Sequence, residues 1–327
     1  MTGFRPGEVC VTAALDGGTV RRVTIAADRP LSLAAMMIGR PAAAVAGAMV
    51  ALHGLCGQSH AAAVHAAAAA ACGISTLRPE LDRWIIRLAA ERLGEHLRSL
   101  FLTEGASPDL AALRTAIGTG QRIARSGIAA PTDTAQLDAA LAALGVSMVD
   151  APPAAPSGSV DALARVDDGS VIAALAADTS FIRAPHLPGR VPETGPAPRC
   201  RVSAADPEAA RAARLTEIRD AAARLRDPGS ADAWIDADRI GPGRGYAAVE
   251  SPRGRLYYSL VFDREDKLAD ARVLAPTEWN FHPDGPLARA LIGFRPGPDA
   301  AAAITRRAAA FDPCVALRVV VESAADA

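Results

Sequence analysis

A chain of 327 residues, half of them hydrophobic but only 4% aromatic, must fill its core mostly with Ala, Leu and Val. Its 35 lysines and arginines nearly cancel its 36 acidic residues, which leaves no sign of a nucleic-acid surface or an acidic tail. The five scattered cysteines, odd in number and with no CxxC pair, argue against a disulfide framework, a zinc ribbon or a cubane cluster.

Met1–Pro6 has no basic region leading into an apolar stretch, so no signal peptide is expected. Val9–Ala14 and Val20–Ala26 are β-prone runs joined by Asp16-Gly17-Gly18, the pattern of a hairpin. From Pro30 to Cys72 the periodicity turns helical, with breaks near Arg40-Pro41 and Gly54–Gly57. The most apolar run, Ala42–Leu52, is too short to span a bilayer, and a soluble cytoplasmic protein with no membrane span is expected. Ser75–Phe101 is the clearest helix, with Pro79 in its first turn and Leu81, Trp84, Ile85, Leu88, Leu97 and Leu100 on one face. Ser107-Pro108-Asp109 reads as an N-cap followed by proline at the first helical position, so another helix starts there.

Residues 150–159 are rich in Pro, Ala and Ser and predict a linker or a long surface loop. A short helix follows over Val160–Ala176, and residues 183–199, with five prolines and two glycines, form a second irregular stretch. Ser203–Leu225 is a helix with Pro207 near its start. Tyr246–Glu250, Arg255–Phe262 and Ala269–Leu274 then predict a small β-meander, before helices over Gly285–Ile292 and Pro298–Ala310. The expected class is α+β, a single domain over 1–327. Its core is mainly helical, because Ala-rich helices form readily, and its N- and C-terminal strands make a small antiparallel sheet.

Three segments could carry chemistry. In Leu55-Cys56-Gly57-Gln58-Ser59-His60 a thiol stands at the start of an Ala-rich helix, where the dipole and free N–H groups favour thiolate, the metal-binding form. His60 shares a helical face with Cys56. A structural cysteine with a backbone-bonded histidine is the plainer alternative. Phe311-Asp312-Pro313-Cys314 places a second cysteine, stiffened by proline, before the apolar run Val315–Val321. The third segment joins Ser251-Pro252-Arg253-Gly254 to Ala275-Pro276-Thr277-Glu278-Trp279-Asn280. An arginine held between Pro and Gly offers planar, permanently charged donors, and Thr277 adds a hydroxyl; an ordinary hairpin and a Trp-anchored turn are the alternative. Cys10, Cys72 and Cys200 read as structural or incidental, and Trp84, Trp234 and Trp279 as core anchors.

The order of these segments resembles the large subunit of nickel–iron hydrogenases. That family carries R-x-C-G-x-C-x-x-x-H near its N-terminus and D-P-C-x-x-C-x-x-H at its C-terminus, with a Pro-Arg-Gly hairpin and a Pro-Ser/Thr-x-Trp-Asn turn between. Cys56-Gly57, Asp312-Pro313-Cys314, Pro252-Arg253-Gly254 and Pro276–Asn280 match these motifs, and Leu15–Gly18 resembles the family's N-terminal hairpin. Arg92 and Glu95-His96-Leu97 are similar to the helix after the first motif. The departures are equally specific. Ser59 and Leu317 stand where the bridging cysteines belong, Ala63 and Val320 replace the histidines, and Gly54 replaces the first arginine.

The run Pro276–Pro286 is especially similar to the HupK/HoxV group of hydrogenase expression/formation proteins. That resemblance implies a maturation accessory protein without hydrogen turnover. It would be a scaffold that transiently holds an Fe(CN)2CO unit and no stable nickel, with Cys56 and Cys314 as thiolate ligands and Arg253 and Thr277 as donors to the cyanides. The implied partners are a small HypC-type maturation chaperone with its iron-loading complex, and the immature hydrogenase large subunit. Two other readings remain: a metal-free chaperone that mimics the large subunit, and an enzyme with one nickel or iron site made by Cys56, Cys314 and His60 or His282.

Overall fold

The first element is the hairpin that Gly17-Gly18 predicts. In the computed structural model, which describes residues 7–28, 33–103, 108–148, 160–229 and 234–323, β1 (Glu8–Asp16) and β2 (Thr19–Asp28) pair antiparallel. Gly17 and Gly18 have φ of 55° and 73°, the positive values that both central residues of a tight primed turn require. Four helices follow the breaks in the periodicity: α1 (Ala42–Leu52), α2 (Gly57–Cys72), α3 (Arg78–Arg98) and α4 (Leu110–Ser126). Pro79 sits in the first turn of α3, and Ile85, Leu88 and Leu97 are fully buried on one face. Each such side chain contributes about 1.5–3 kcal/mol by leaving water. The N-cap of α4 is Asp109, whose carboxylate accepts from the N–H groups of Ala111 and Ala112 at 2.9 and 3.1 Å. Ser107, the expected cap, lies outside the described residues, and the carboxylate satisfies two of the orphaned helix donors.

Next come α5 (Pro131–Ala143), α6 (Asp168–Ala177), the single turn α7 (Pro196–Arg199) and α8 (Pro207–Arg224). The strands β3 (Ile235–Gly241), β4 (Arg244–Ser251), β5 (Gly254–Phe262) and β6 (Leu268–Leu274) precede α9 (Pro276–Asn280), α10 (Pro286–Leu291), α11 (Ala300–Ala309) and β7 (Ala316–Ser323). The expected linker over 150–159 falls outside the described residues. No described helix is long and apolar enough to cross a membrane.

The chain divides into two compact units, one of Met1–Leu31, Ala155–Ala210 and Ala275–Ala327, the other of Ser32–Ala154 and Arg211–Leu274. In the first, β2, β1 and β7 form a three-stranded sheet in that order. The terminal strands therefore do join, but the expected antiparallel sheet is mixed, because β7 runs parallel to β1 with Val11 opposite Val319. Alternation of apolar residues sets which face of a strand is buried and carries no information on direction, and the long intervening chain permits a parallel return. In the second unit β3–β6 form an antiparallel meander. β3 is the strand the sequence hid: Asp236, Asp238 and Arg239 leave it little apolar alternation. Alanine in α2 lets this sheet come close. A Cβ on Gly245 of β4 would lie 2.1 Å from the Ala67 carbonyl oxygen, so only glycine fits there.

Candidate functional site

In the second unit, Cys56 is the N-cap residue of α2 and is half-buried. Gly57 follows it because α1 crosses there: a Cβ would lie 2.8 Å from the Val50 carbonyl oxygen. The Cys-Gly pair is thus a packing requirement as well as a motif. The free N–H groups expected to serve the thiol are taken by another group. Glu91 of α3 accepts from the Gln58 N–H at 2.6 Å and the Ser59 N–H at 3.0 Å, and the Ser59 hydroxyl donates to the same carboxylate. Burial pushes the Glu91 carboxyl up to about 7 despite the bonds from Ser59 and Gln58 that oppose the shift.

Two histidines and a tyrosine form a linked group beside the start of α2. The His60 Nδ1 and the Tyr258 hydroxyl share a hydrogen bond of 2.6 Å, and the His60 ring stacks on His53 with centroids 3.6 Å apart. Burial, and then the neighbouring His53, hold the His60 pKa well below that of a free imidazole. Burial lowers His53 as well, against its bond to the Met49 carbonyl. Burial first, and the nearby Cys56 second, raise the Tyr258 hydroxyl well above its usual value.

One helical turn beyond Glu91, Glu95 accepts from the Arg253 guanidinium at 3.0 Å. Arg253 occupies the β4–β5 turn, and its side chain is only 4% exposed. The arginine of the Pro-Arg-Gly hairpin is therefore held by a carboxylate that also pairs with Arg98. Behind it, α3 is braced by a buried ionic cluster. His96 Nε2 lies 2.7 Å and Arg92 Nε 3.8 Å from the same Glu217 oxygen. Arg92 donates to the Glu250 carbonyl at 2.7 Å and stacks 3.6 Å over the Trp234 ring. Burial lowers the His96 pKa although Glu217 pulls it upward.

In the first unit, Cys314 and Thr277 are together. The Thr277 hydroxyl donates to the Cys314 sulfur at 3.3 Å, and its oxygen accepts from the Cys314 N–H at 3.3 Å. Pro276 starts α9 and Trp279 is fully buried, its ring edge-on to Phe181. Asn280 accepts from the Thr194 N–H at 3.0 Å and donates to the Thr194 carbonyl at 2.8 Å. The Pro-Thr-Glu-Trp-Asn turn is thereby pinned at both ends. Asp312, at φ 48°, turns the chain ahead of Pro313 in a conformation that Asp tolerates better than most residues. His282 accepts the Asp284 N–H at 3.0 Å, and burial lowers its pKa.

Of the four residues singled out by sequence, Thr277 and Cys314 are in direct contact, while Cys56 and Arg253 both border the Glu91–Glu95 face of α3 in the other unit. Among the described residues no group of three or more His, Cys, Asp and Glu is arranged to hold a metal, and none of the five cysteines is in a disulfide. His60 and His282 each spend Nδ1 on a local partner. Sequence reasoning missed Glu91 and Tyr258. The available signal for Glu91 was its place one turn ahead of Glu95, on the helix that follows the first motif.

No protein-family model matches the chain. It is 34% identical over 351 residues to the hydrogenase expression/formation protein HupK of Bradyrhizobium diazoefficiens, covering 94% of this chain and 95% of that one. It is 33% identical over 373 residues to HupK of Rhizobium leguminosarum, covering 98% of each. Among solved structures, the reduced, active Ni-Fe-Se hydrogenase of Desulfomicrobium baculatum superposes with a TM-score of 0.57 at 13% identity, over 92% of this chain and 95% of that one. At that identity the likeness is one of fold alone.

Proposed function

This chain belongs to the HupK family of hydrogenase expression/formation proteins, and from that premise we propose that it is an accessory protein of hydrogenase maturation, a scaffold that holds an Fe(CN)2CO unit as cargo and passes it to the immature hydrogenase large subunit. The observation that carries this reading is the Thr277–Cys314 pair: a half-buried thiol fixed through its sulfur and its N–H by one buried hydroxyl. A soft sulfur suits iron, and a hydroxyl held beside it is a donor for a cyanide nitrogen. For Cys56 and Arg253 the corresponding roles, a further thiolate and a further cyanide donor, rest on the family resemblance alone. The cargo arrives from a small HypC-type chaperone and its iron-loading complex.

Two contacts support the absence of hydrogen turnover. The Ser59 hydroxyl is spent on Glu91, and Leu317 lies in β7 opposite Val9. Neither position supplies a bridging sulfur. A metal-free mimic of the large subunit is the second reading, favoured by the engagement of Arg253 with Glu95 and of the α2 N–H groups with Glu91.

Infrared spectroscopy of the protein purified anaerobically from cells with active hydrogenase maturation tests the two. Cyanide and carbonyl stretches that vanish in Cys56→Ala and Cys314→Ala support the scaffold. A featureless spectrum from iron-free protein that still co-purifies with maturation partners supports the mimic.

A further inference from the structure

Among the described residues, the mixed sheet of the first unit ends on one side in a strand with a single strand partner. In the order β2-β1-β7, β7 pairs with β1 alone. Among the described residues, no backbone hydrogen bond outside that ladder involves residues 316–323. The opposite edge is different: Val20 of β2 exchanges backbone hydrogen bonds with Phe294 and Gly293, each 2.9 Å, and Arg21 and Arg22 stand exposed beside it. Half of the N–H and C=O groups of an edge strand point away from its one partner, and such a row is a template for a further strand.

The sequence of β7 says which strand fits. Its centre is Val319-Val320-Val321, three valines that remain only half-buried, and it carries one charge of each sign, Arg318 and Glu322. The two charges stand symmetrically about Val320. When a second β7 is laid antiparallel with Val320 opposite Val320, Arg318 of each copy faces Glu322 of the other, and Val319 faces Val321 twice. Any shift of register removes both ion pairs. Because side chains alternate across a strand, Arg318, Val320 and Glu322 share one face, so the charge pairs flank a valine pair. The Arg318 Nε already donates to Glu8 at 3.0 Å, with both side chains largely in solvent. A guanidinium has further N–H groups for a second carboxylate.

We infer that β7 is a self-association edge, through which two copies of this chain join their three-stranded sheets into one six-stranded sheet centred on Val320. The contact is isologous: the same strand serves on both sides, so it closes as a dimer. Charges on an edge strand also serve to repel other strands, and reversing them separates the two roles.

The test is sedimentation velocity of the full chain across a concentration series. The wild type is expected to dimerise with rising concentration. Arg318→Glu and Glu322→Arg each set like charges opposite one another twice and weaken association by about tenfold or more. The double reversal restores opposite pairs and returns association to the wild-type range. A wild type that stays monomeric at about 0.1 mM, a dimer indifferent to the single reversals, or a double reversal that fails to rescue would each overturn the inference. A second measurement covers the case in which a charge variant does not fold. Residues directly opposite across an antiparallel pair have Cα atoms about 4.5–5.5 Å apart, inside the range of a disulfide. Val320→Cys should therefore form an oxidised, reductant-sensitive dimer, while the wild type and Leu317→Cys, which lies off the two-fold axis, do not. Equal cross-linking of all three, or none with Val320→Cys, sinks the proposed register.

Discussion

The surroundings of Cys56 and of Cys314 were built in different ways, although both cysteines answer to the same kind of motif. At Cys314 the neighbouring hydroxyl is turned onto the cysteine itself, with Thr277 bonded to both sulfur and N–H. At Cys56 the neighbouring groups of α2 serve a different residue: the N–H groups of Gln58 and Ser59 and the Ser59 hydroxyl all go to Glu91. Ser59 is part of this helix cap through both its N–H and its hydroxyl. At the C-terminal segment a hydroxyl is bonded to the cysteine, whereas at the N-terminal segment the hydroxyl of Ser59 is bonded to a carboxylate of another helix. One surrounding is a prepared thiol; the other is a braced helix end with a thiol at its rim.

The largest test of this contrast removes the brace. Glu217→Ala leaves Arg92 and His96 without the buried carboxylate they share, and stranding a buried charge in this way costs about 3–5 kcal/mol. Urea unfolding measures the loss. Hydrogen exchange then locates it: α3 and α2 should lose protection, and α9 with β7 should keep theirs. Equal loss in both places would mean that the two surroundings are not separately built.

The second test uses acid and base. The folded protein binds the Glu91 proton more tightly than an unfolded chain with a pKa near 4.5, since its own value is about 7. Stability from this group is therefore complete below pH 4.5 and is lost as pH rises through about 7, by up to about 3 kcal/mol. Glu91→Gln should flatten that slope in thermal melts taken from pH 5 to 8. An unchanged slope would show that the cap at Cys56 is not the titrating element.

Glu91 also marks the limit of what the sequence discloses. The hairpins and the Trp-anchored turn were legible because Gly17, Gly18 and Gly254 permit the positive φ these turns need, while Pro252 and Pro276 fix φ locally. The ends of α3, α8, α10 and α11 were legible within a few residues, but the helix expected over Val160–Ala176 begins only at Asp168, and α5 and the single turn α7 were not read at all. Glu91 bonds to residues 32 and 33 positions away, and no spacing rule connects a carboxylate in mid-helix to another helix's N-terminus. The sequence thus placed Cys56 at a helix start, correctly, and assigned its N–H groups to the wrong acceptor. The same holds for β7: its valines predict a strand, but the parallel pairing with β1 is decided by a crossover of the whole chain. The Thr277–Cys314 contact, also long-range, was not read from the sequence, where the family resemblance implied only separate roles for the two residues toward one iron unit.

A smaller effect is expected at the prepared thiol. Thr277→Val keeps the shape but removes the hydroxyl, leaving the Cys314 N–H and sulfur without that partner, a loss of about 1–2 kcal/mol. Alkylation followed by mass spectrometry should find Cys314 modified faster and Cys56 unchanged. Acceleration at both cysteines would erase the distinction between the two surroundings.

The smallest effect, and the sharpest on the N-terminal side, comes from placing a sulfur at position 59. Ser59→Cys exchanges a hydroxyl that donates to Glu91 for a weaker and longer S–H donor. The two N–H bonds from Gln58 and Ser59 stay in place, so the cap survives and the cost is about 1 kcal/mol. If the N-terminal motif were a metal site lacking only its second sulfur, Ser59→Cys would raise the iron or nickel content of protein purified from a maturation-competent strain. A helix end committed to Glu91 predicts otherwise: metal content stays at the wild-type level, and the midpoint of unfolding falls slightly. A gain of metal in Ser59→Cys that disappears again in the Ser59→Cys, Cys56→Ala double variant would show that Glu91 yields to a metal, and that the two motifs differ less than their hydrogen bonds imply.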